Sequence, residues 1–145
     1  MDVAKIYFAF HRPATLRELL TGAEKWSSAF GHVEAFGFTI DETWFFFDPG
    51  RHLTNLKITH LHDEVNQLLA ERYQRSSIIY RMTYEPAEFA VPIHGPMNCV
   101  TQCAALIGKR AYTPDGFRRI LQQCNAEVIH EVEQGKSRGS EGAHP

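Results

Sequence analysis

Gly31-His32-Val33-Glu34-Ala35-Phe36-Gly37-Phe38-Thr39-Ile40-Asp41-Glu42-Thr43-Trp44-Phe45-Phe46-Phe47-Asp48 is the stretch on which the fold turns. Two aromatic, apolar runs, residues 32–40 and 43–47, flank the turn-forming pair Asp41-Glu42, the pattern of a β-hairpin. Asp48-Pro49-Gly50 then ends the second strand, because proline has no N–H to give a ladder and glycine accepts turn dihedrals. His32 heads the first strand and Asp48 closes the second, so the hairpin carries two polar side chains to one end of a sheet. A three-residue turn at 41–43 pairs 36 with 48 and points Asp48 to the His32 side, whereas a two-residue turn points it to the other. The sequence leaves that choice open.

Working outward, residues 6–10 form a first strand that stops at His11-Arg12-Pro13. Thr15 with Glu18 makes a capping box, Leu16, Leu19 and Leu20 give an apolar face and Gly22 closes a short helix. Downstream, residues 53–61 add a strand. Val65, Leu68, Leu69 and Tyr73 recur at helical spacing over 62–74, with Asp63-Glu64 in the first turn. Ile78, Tyr80, Met82 and Tyr84 alternate as in a half-buried strand over 77–84, and a short strand covers 89–91.

Asn98 is an N-cap for a helix whose apolar stripe is Val100, Cys103, Ala104 and Ile107, stopped by Gly108. Thr113-Pro114-Asp115 opens another, with Phe117, Ile120, Leu121 and Cys124 on its apolar side. Residues 134–145 are glycine, serine and charge with nothing to bury, which predicts a mobile tail. The expected organisation is one α+β domain over 1–132, a central antiparallel sheet packed against the helix that begins at Cys99, and a flexible tail over 133–145.

At 145 residues the chain can bury a sizeable core without disulfides or metal. A net charge of −2 provides no basic field for a phosphate backbone, so nucleic acid is not an expected partner. The apolar run at the N-terminus is too short for a signal sequence or a membrane span. Three cysteines, odd in number and clustered at 99, 103 and 124, suit a reducing, cytoplasmic setting better than a disulfide framework.

Cys99 follows the N-cap directly, where outward-pointing backbone N–H groups lower a thiol pKa and can hold an oxyanion. Cys103 and Cys124 lie on apolar stripes and are expected to be buried. A nucleophilic thiol needs a base, and His32, at a rigid strand end after Ser27-Ser28-Ala29-Phe30-Gly31, has the most suggestive context. Asp48 is the candidate to orient its imidazole. His94, five residues before Cys99, is the rival base, and His60 with His62 is a possible metal pair. The chemistry requires no cofactor.

The order of these pieces resembles the permuted branch of the NlpC/P60 papain-like superfamily, in which the histidine strand precedes the cysteine helix. Residues 4–10 look like its opening strand, Gly31-His32-Val33 like its histidine strand and Trp44-Phe45-Phe46-Phe47-Asp48 like the strand bearing the third polar residue. Met97-Asn98-Cys99-Val100 is similar to the nucleophile turn of lecithin:retinol acyltransferase-like members. Asn98-Cys99-Val100, Leu106-Ile107-Gly108 and Thr113-Pro114 with Phe117 to Leu121 also resemble small proteins of tailed phages and prophages. The resemblance implies a circularly permuted papain-like fold, a thiol hydrolase with Cys99, His32 and Asp48 as catalytic residues, and a peptide or peptidoglycan-type amide as substrate. Glu34 departs from the glycine that many members have after His-Val, and its charge near His32 would raise the imidazole pKa or obstruct substrate. Two other readings are a non-catalytic phage virion or tail accessory protein on the same scaffold and a small metal protein using His60, His62 or Cys99.

Overall fold

The computed structural model describes residues 3–11, 31–50, 53–83 and 98–132. The helix expected near Thr15, the strand at 89–91, His94 and the C-terminal tail lie outside them. The chain is α+β, with strands β1 (Val3–His11), β2 (His32–Thr39), β3 (Trp44–Pro49) and β4 (Thr54–Thr59), then helix α1 (His62–Arg75) and strand β5 (Ser76–Thr83). Helices α2 (Cys99–Leu106) and α3 (Pro114–Gln123) and strand β6 (Glu127–Glu131) complete it. The strands make a single antiparallel sheet in the order β4-β3-β2-β1-β5-β6. None of the described helices is long and apolar enough to cross a membrane.

Strand periodicity divides the apolar residues between the two faces of the sheet. Ile6, Phe8 and Phe10 of β1, Val33 and Ala35 of β2, and Ile78 and Tyr80 of β5 pack under α2 and α3 with Val100, Cys103, Ala104, Phe117 and Leu121. Phe117 meets Phe8 edge-on, their ring centroids 4.9 Å apart. Tyr7, Ala9, Phe36, Phe46 and Ile79 face the other way and pack with Val65, Leu68 and Leu69 of α1. Residues 77–84 were expected to be half-buried, but β5 is covered on both faces, since Ile79 is as buried as Ile78 and Tyr80. A helix on each side of the sheet removes the solvated face that the alternation implied.

The β2–β3 hairpin settles the register. Phe36 pairs with Phe46 and Phe38 with Trp44, and the loop closes through Thr39 N–H to Thr43 O at 2.9 Å and Glu42 N–H to Thr39 O at 3.0 Å. The loop therefore has three residues, Ile40, Asp41 and Glu42, one position earlier than the 41–43 alternative. Glu42 takes the left-handed conformation, φ 63°, that the last residue of such a loop needs. Continuing the register sets Glu34, not Phe36, opposite Asp48. Even-numbered residues still face even-numbered ones, so Asp48 lies on the His32 side of the sheet. Between the strands Gly37 is required, because a Cβ there would stand 2.4 Å from Lys5 O and 2.8 Å from the Phe45 ring.

Two features lay beyond the sequence reading. Strand β6, a five-residue edge, follows α3 with Val128 and Ile129 adjacent and no alternation to mark it. The β4 edge at the opposite end of the sheet leaves Leu56 and Ile58 62% and 65% exposed.

Candidate active site

Cys99 is the first residue of α2, and its position is fixed by the cap before it. Asn98 Oδ1 accepts from Thr101 N–H at 2.9 Å, and Thr101 Oγ1 accepts from Asn98 N–H at 2.8 Å. This is a capping box with threonine in place of the usual acid at the third position. One turn on, Cys103 is fully buried, its sulfur 3.8 Å from Val33 O, which lays the start of α2 over the start of β2. Helix N-terminus and strand end thus meet at one point, bringing Cys99 to His32.

His32 Nε2 and Asp48 Oδ1 are 2.6 Å apart, both side chains partly exposed. With Nε2 engaged by the carboxylate, Nδ1 is the nitrogen left for the thiol. Burial pulls the imidazole pKa down, but the hydrogen bonds and charges of Asp48 and Cys99 overcome it and raise the pKa from 6.5 to about 10. Burial pushes the Cys99 thiol up. His32, through its hydrogen bond and charge, outweighs that push with help from the backbone N–H groups of Val33 and Val100, leaving the thiol below its ordinary 9.0. Asp48 is held below the usual carboxylate range chiefly by its hydrogen bond to His32, against the opposing effect of burial. The thiol pKa is thus drawn below that of the imidazole, and each group favours the charged form of the other.

The other cysteines differ. Burial drives the Cys103 thiol well above 9.0, as an inert core residue requires. Cys124 was expected to be buried but is half-exposed, because α3 ends at Gln123 and leaves it as the C-cap. His60 and His62 are both exposed. Among the described residues, the one convergence of three potential ligand side chains is His32, Glu34 and Asp48, whose donor atoms lie within 4.8 Å of one another.

That convergence is already charge-balanced. Glu34 is 0% exposed, and its carboxylate lies 2.7 Å from Arg72 Nε, 3.2 Å from His11 Nε2 and 3.8 Å from Arg75 Nη2. The contacts to Arg72 Nε and His11 Nε2 are close but poorly aligned for hydrogen bonding, and the arginine contact acts as an ion pair. Arg72 also lies over the Phe46 ring, 4.8 Å from its centroid. Glu34 therefore points into the α1 interface, held by arginine. Sequence reasoning found Glu34 but missed His11 and Arg72. The signal was present: Val65, Leu69 and Arg72 follow at i, i+4 and i+7, so an arginine occupies an apolar-stripe position of α1, and a glutamate occupies the middle of an apolar strand.

Beside Asp48, on the α1 side of the sheet, a cleft of about 380 Å³ is lined by Phe46, Asn55, Lys57, Leu68 and Arg72 among others. No family model, curated protein or solved structure matches the chain, and the site is characterised by its own geometry.

Proposed function

We propose that this chain is a cysteine-dependent hydrolase of the permuted papain-like kind, transferring an acyl group from an amide or ester to water through Cys99. The observation that carries the reading is the convergence of Cys99, at the capped N-terminus of α2, on a His32 ring held by Asp48 at 2.6 Å, an arrangement in which the thiol pKa is lowered and the imidazole pKa raised. A thiol, an imidazole and a carboxylate set in line at a helix N-terminus are the parts that nucleophilic catalysis requires.

In this reading the Cys99 thiolate attacks the carbonyl carbon, and the oxyanion is stabilised by N–H groups at the start of α2. The His32 imidazolium gives its proton to the leaving amine or alcohol as the C–N or C–O bond breaks. Water then attacks the thioester, neutral His32 takes a water proton, and the thiolate is released with the carboxylic product. Asp48 holds the imidazole orientation and its positive charge throughout. A peptide-type amide is the proposed substrate class, by resemblance of the motif order.

A second reading, a non-catalytic assembly component of a phage particle, is favoured by one feature, the exposed Leu56 and Ile58 on β4, which is the end strand of the sheet among the described residues. p-Nitrophenyl acetate separates the two. A hydrolase releases a burst of one equivalent of nitrophenolate and acetylates Cys99, and His32→Ala slows the burst by about 10²–10⁴-fold. An assembly component acetylates its cysteines slowly and without preference.

A further inference from the structure

His32 is held at Nε2 by Asp48 and engaged on its other side by Cys99, and contacts at the ring edge alone leave the tilt of its plane to be set. A second histidine stands where it can set that tilt. His11 pairs with His32 across β1 and β2, and its ring stands edge-on to the His32 ring, with centroids 5.0 Å apart and planes at 85°. His11 is itself anchored by the fully buried Glu34 at 3.2 Å, and Glu34 in turn by Arg72 at 2.7 Å. The groups facing His32 are thus His11 of β1, Glu34 of β2, Asp48 of β3 and Cys99 of α2, with Arg72 of α1 behind Glu34.

We infer that His11 is a positioning residue for the Cys99–His32 pair, its ring fixing the plane of His32 while Glu34 and Arg72 fix His11. The inference rests on the thiol-hydrolase reading above and adds to it the element that aims the imidazole. Asp48 sets which nitrogen faces the thiol, and His11 sets the angle at which it does so. Helix α1 contributes no group to the reacting atoms, yet through Arg72 it becomes part of the device that aligns them. The shape of the His11 side chain, a flat ring against the His32 ring, is what the role needs; its Nε2 contact serves to anchor it on Glu34.

The test is the pH profile of iodoacetamide alkylation of Cys99, read by peptide mapping, in the full chain and its variants. Loosening His32 weakens its hold on the thiolate, so His11→Ala should move the acid limb up by about one pH unit, a roughly tenfold loss of rate well below the limb. His11→Phe keeps the ring and loses the nitrogen, and should keep the limb within about 0.3 of wild type. His11→Gln keeps a donor for Glu34 without a ring and should move as His11→Ala does, which serves if the alanine variant does not fold. A phenylalanine variant that shifts as far as the alanine or glutamine variant overturns the inference, as does the absence of a shift in every folded variant. A wild-type limb at the ordinary thiol value would instead sink the hydrolase reading on which the inference rests.

Discussion

One face of this sheet is held together by hydrocarbon and the other by hydrocarbon wrapped around charge. Under α2 and α3 the buried residues are Phe8, Phe10, Val33, Val100, Cys103, Phe117 and Leu121. Under α1 the apolar set of Tyr7, Phe36, Phe46 and Val65 is interrupted by Glu34 and Arg72, both less than a tenth exposed. A buried ion pair seldom adds more stability than a packed apolar pair of the same volume, because desolvating two charges offsets most of their attraction. Retaining one beside His32 therefore fits a requirement of the site better than a requirement of the fold. The contrast teaches where to look for function in this domain: in the proposed reading the apolar face carries the nucleophile's helix, and the charged face orients its partner.

Breaking the charged face on one side only should produce the largest effect. Glu34→Ala removes the buried carboxylate beside Arg72, leaving the guanidinium, among the described residues, with only Leu68 O and the more distant Glu71 as polar partners, and should cost about 3–5 kcal/mol of unfolding free energy in urea titration. Replacing both partners with apolar residues, Glu34→Leu with Arg72→Met, should recover most of that loss. If the double variant loses the sum of the two single losses, the pair is not a coupled unit and the comparison of faces fails. On the apolar face Phe117→Ala should cost a similar ~3–5 kcal/mol, but by leaving a cavity against Phe8, so no second substitution that merely removes a partner should restore it.

Asp48→Asn should have a smaller effect on stability and a clear one on chemistry. The His32 pKa is raised in the fold, so its stabilising contribution is complete below about 6.5 and fades as pH rises through about 10. The pKa of Asp48 is lowered, so its contribution is present above 3.8 and fades as pH falls below that. Asp48→Asn should therefore lower thermal stability most between those limits and little at the extremes. It should also lower the His32 pKa and raise that of Cys99, narrowing the alkylation window from both sides. An unchanged profile in a folded variant would remove Asp48 from the site.

Asn98→Ala should be the smallest change, about 1 kcal/mol within the usual 0.5–2 range for a lost N-cap, measured by urea unfolding. Because the cap sets the first turn of α2, it should also slow Cys99 alkylation slightly at pH 7 while leaving Cys124 alkylation as it was.

Much of this architecture was legible because it rests on local rules. Asn98 with the Val100, Cys103, Ala104 stripe, and Thr113-Pro114-Asp115 before Phe117 and Leu121, each encode a helix start in a few residues. The aromatic runs about Asp41-Glu42 encoded the hairpin, and with it the chance that His32 and Asp48 meet. The register was not legible, because it depends on whether Glu42 accepts a left-handed conformation that glycine or asparagine would have advertised. Nor was the double burial of β5, which is decided by α1 docking on the far side of the sheet. His11 and Arg72 escaped for the same reason: their meaning lies in Glu34, 23 positions after one and 38 before the other, and only the folded sheet brings the three together. Strand β6 left no periodic trace at all.

The most direct measurement is the rate of iodoacetamide alkylation of each cysteine in the native protein as a function of pH. Cys99 should react far faster than Cys124 at pH 7, with Cys103 protected, and its acid limb should lie below the ordinary thiol value of 9.0 because His32 holds the thiolate. A Cys99 that titrates as an ordinary thiol and is labelled no faster than Cys124 would contradict the account at its centre.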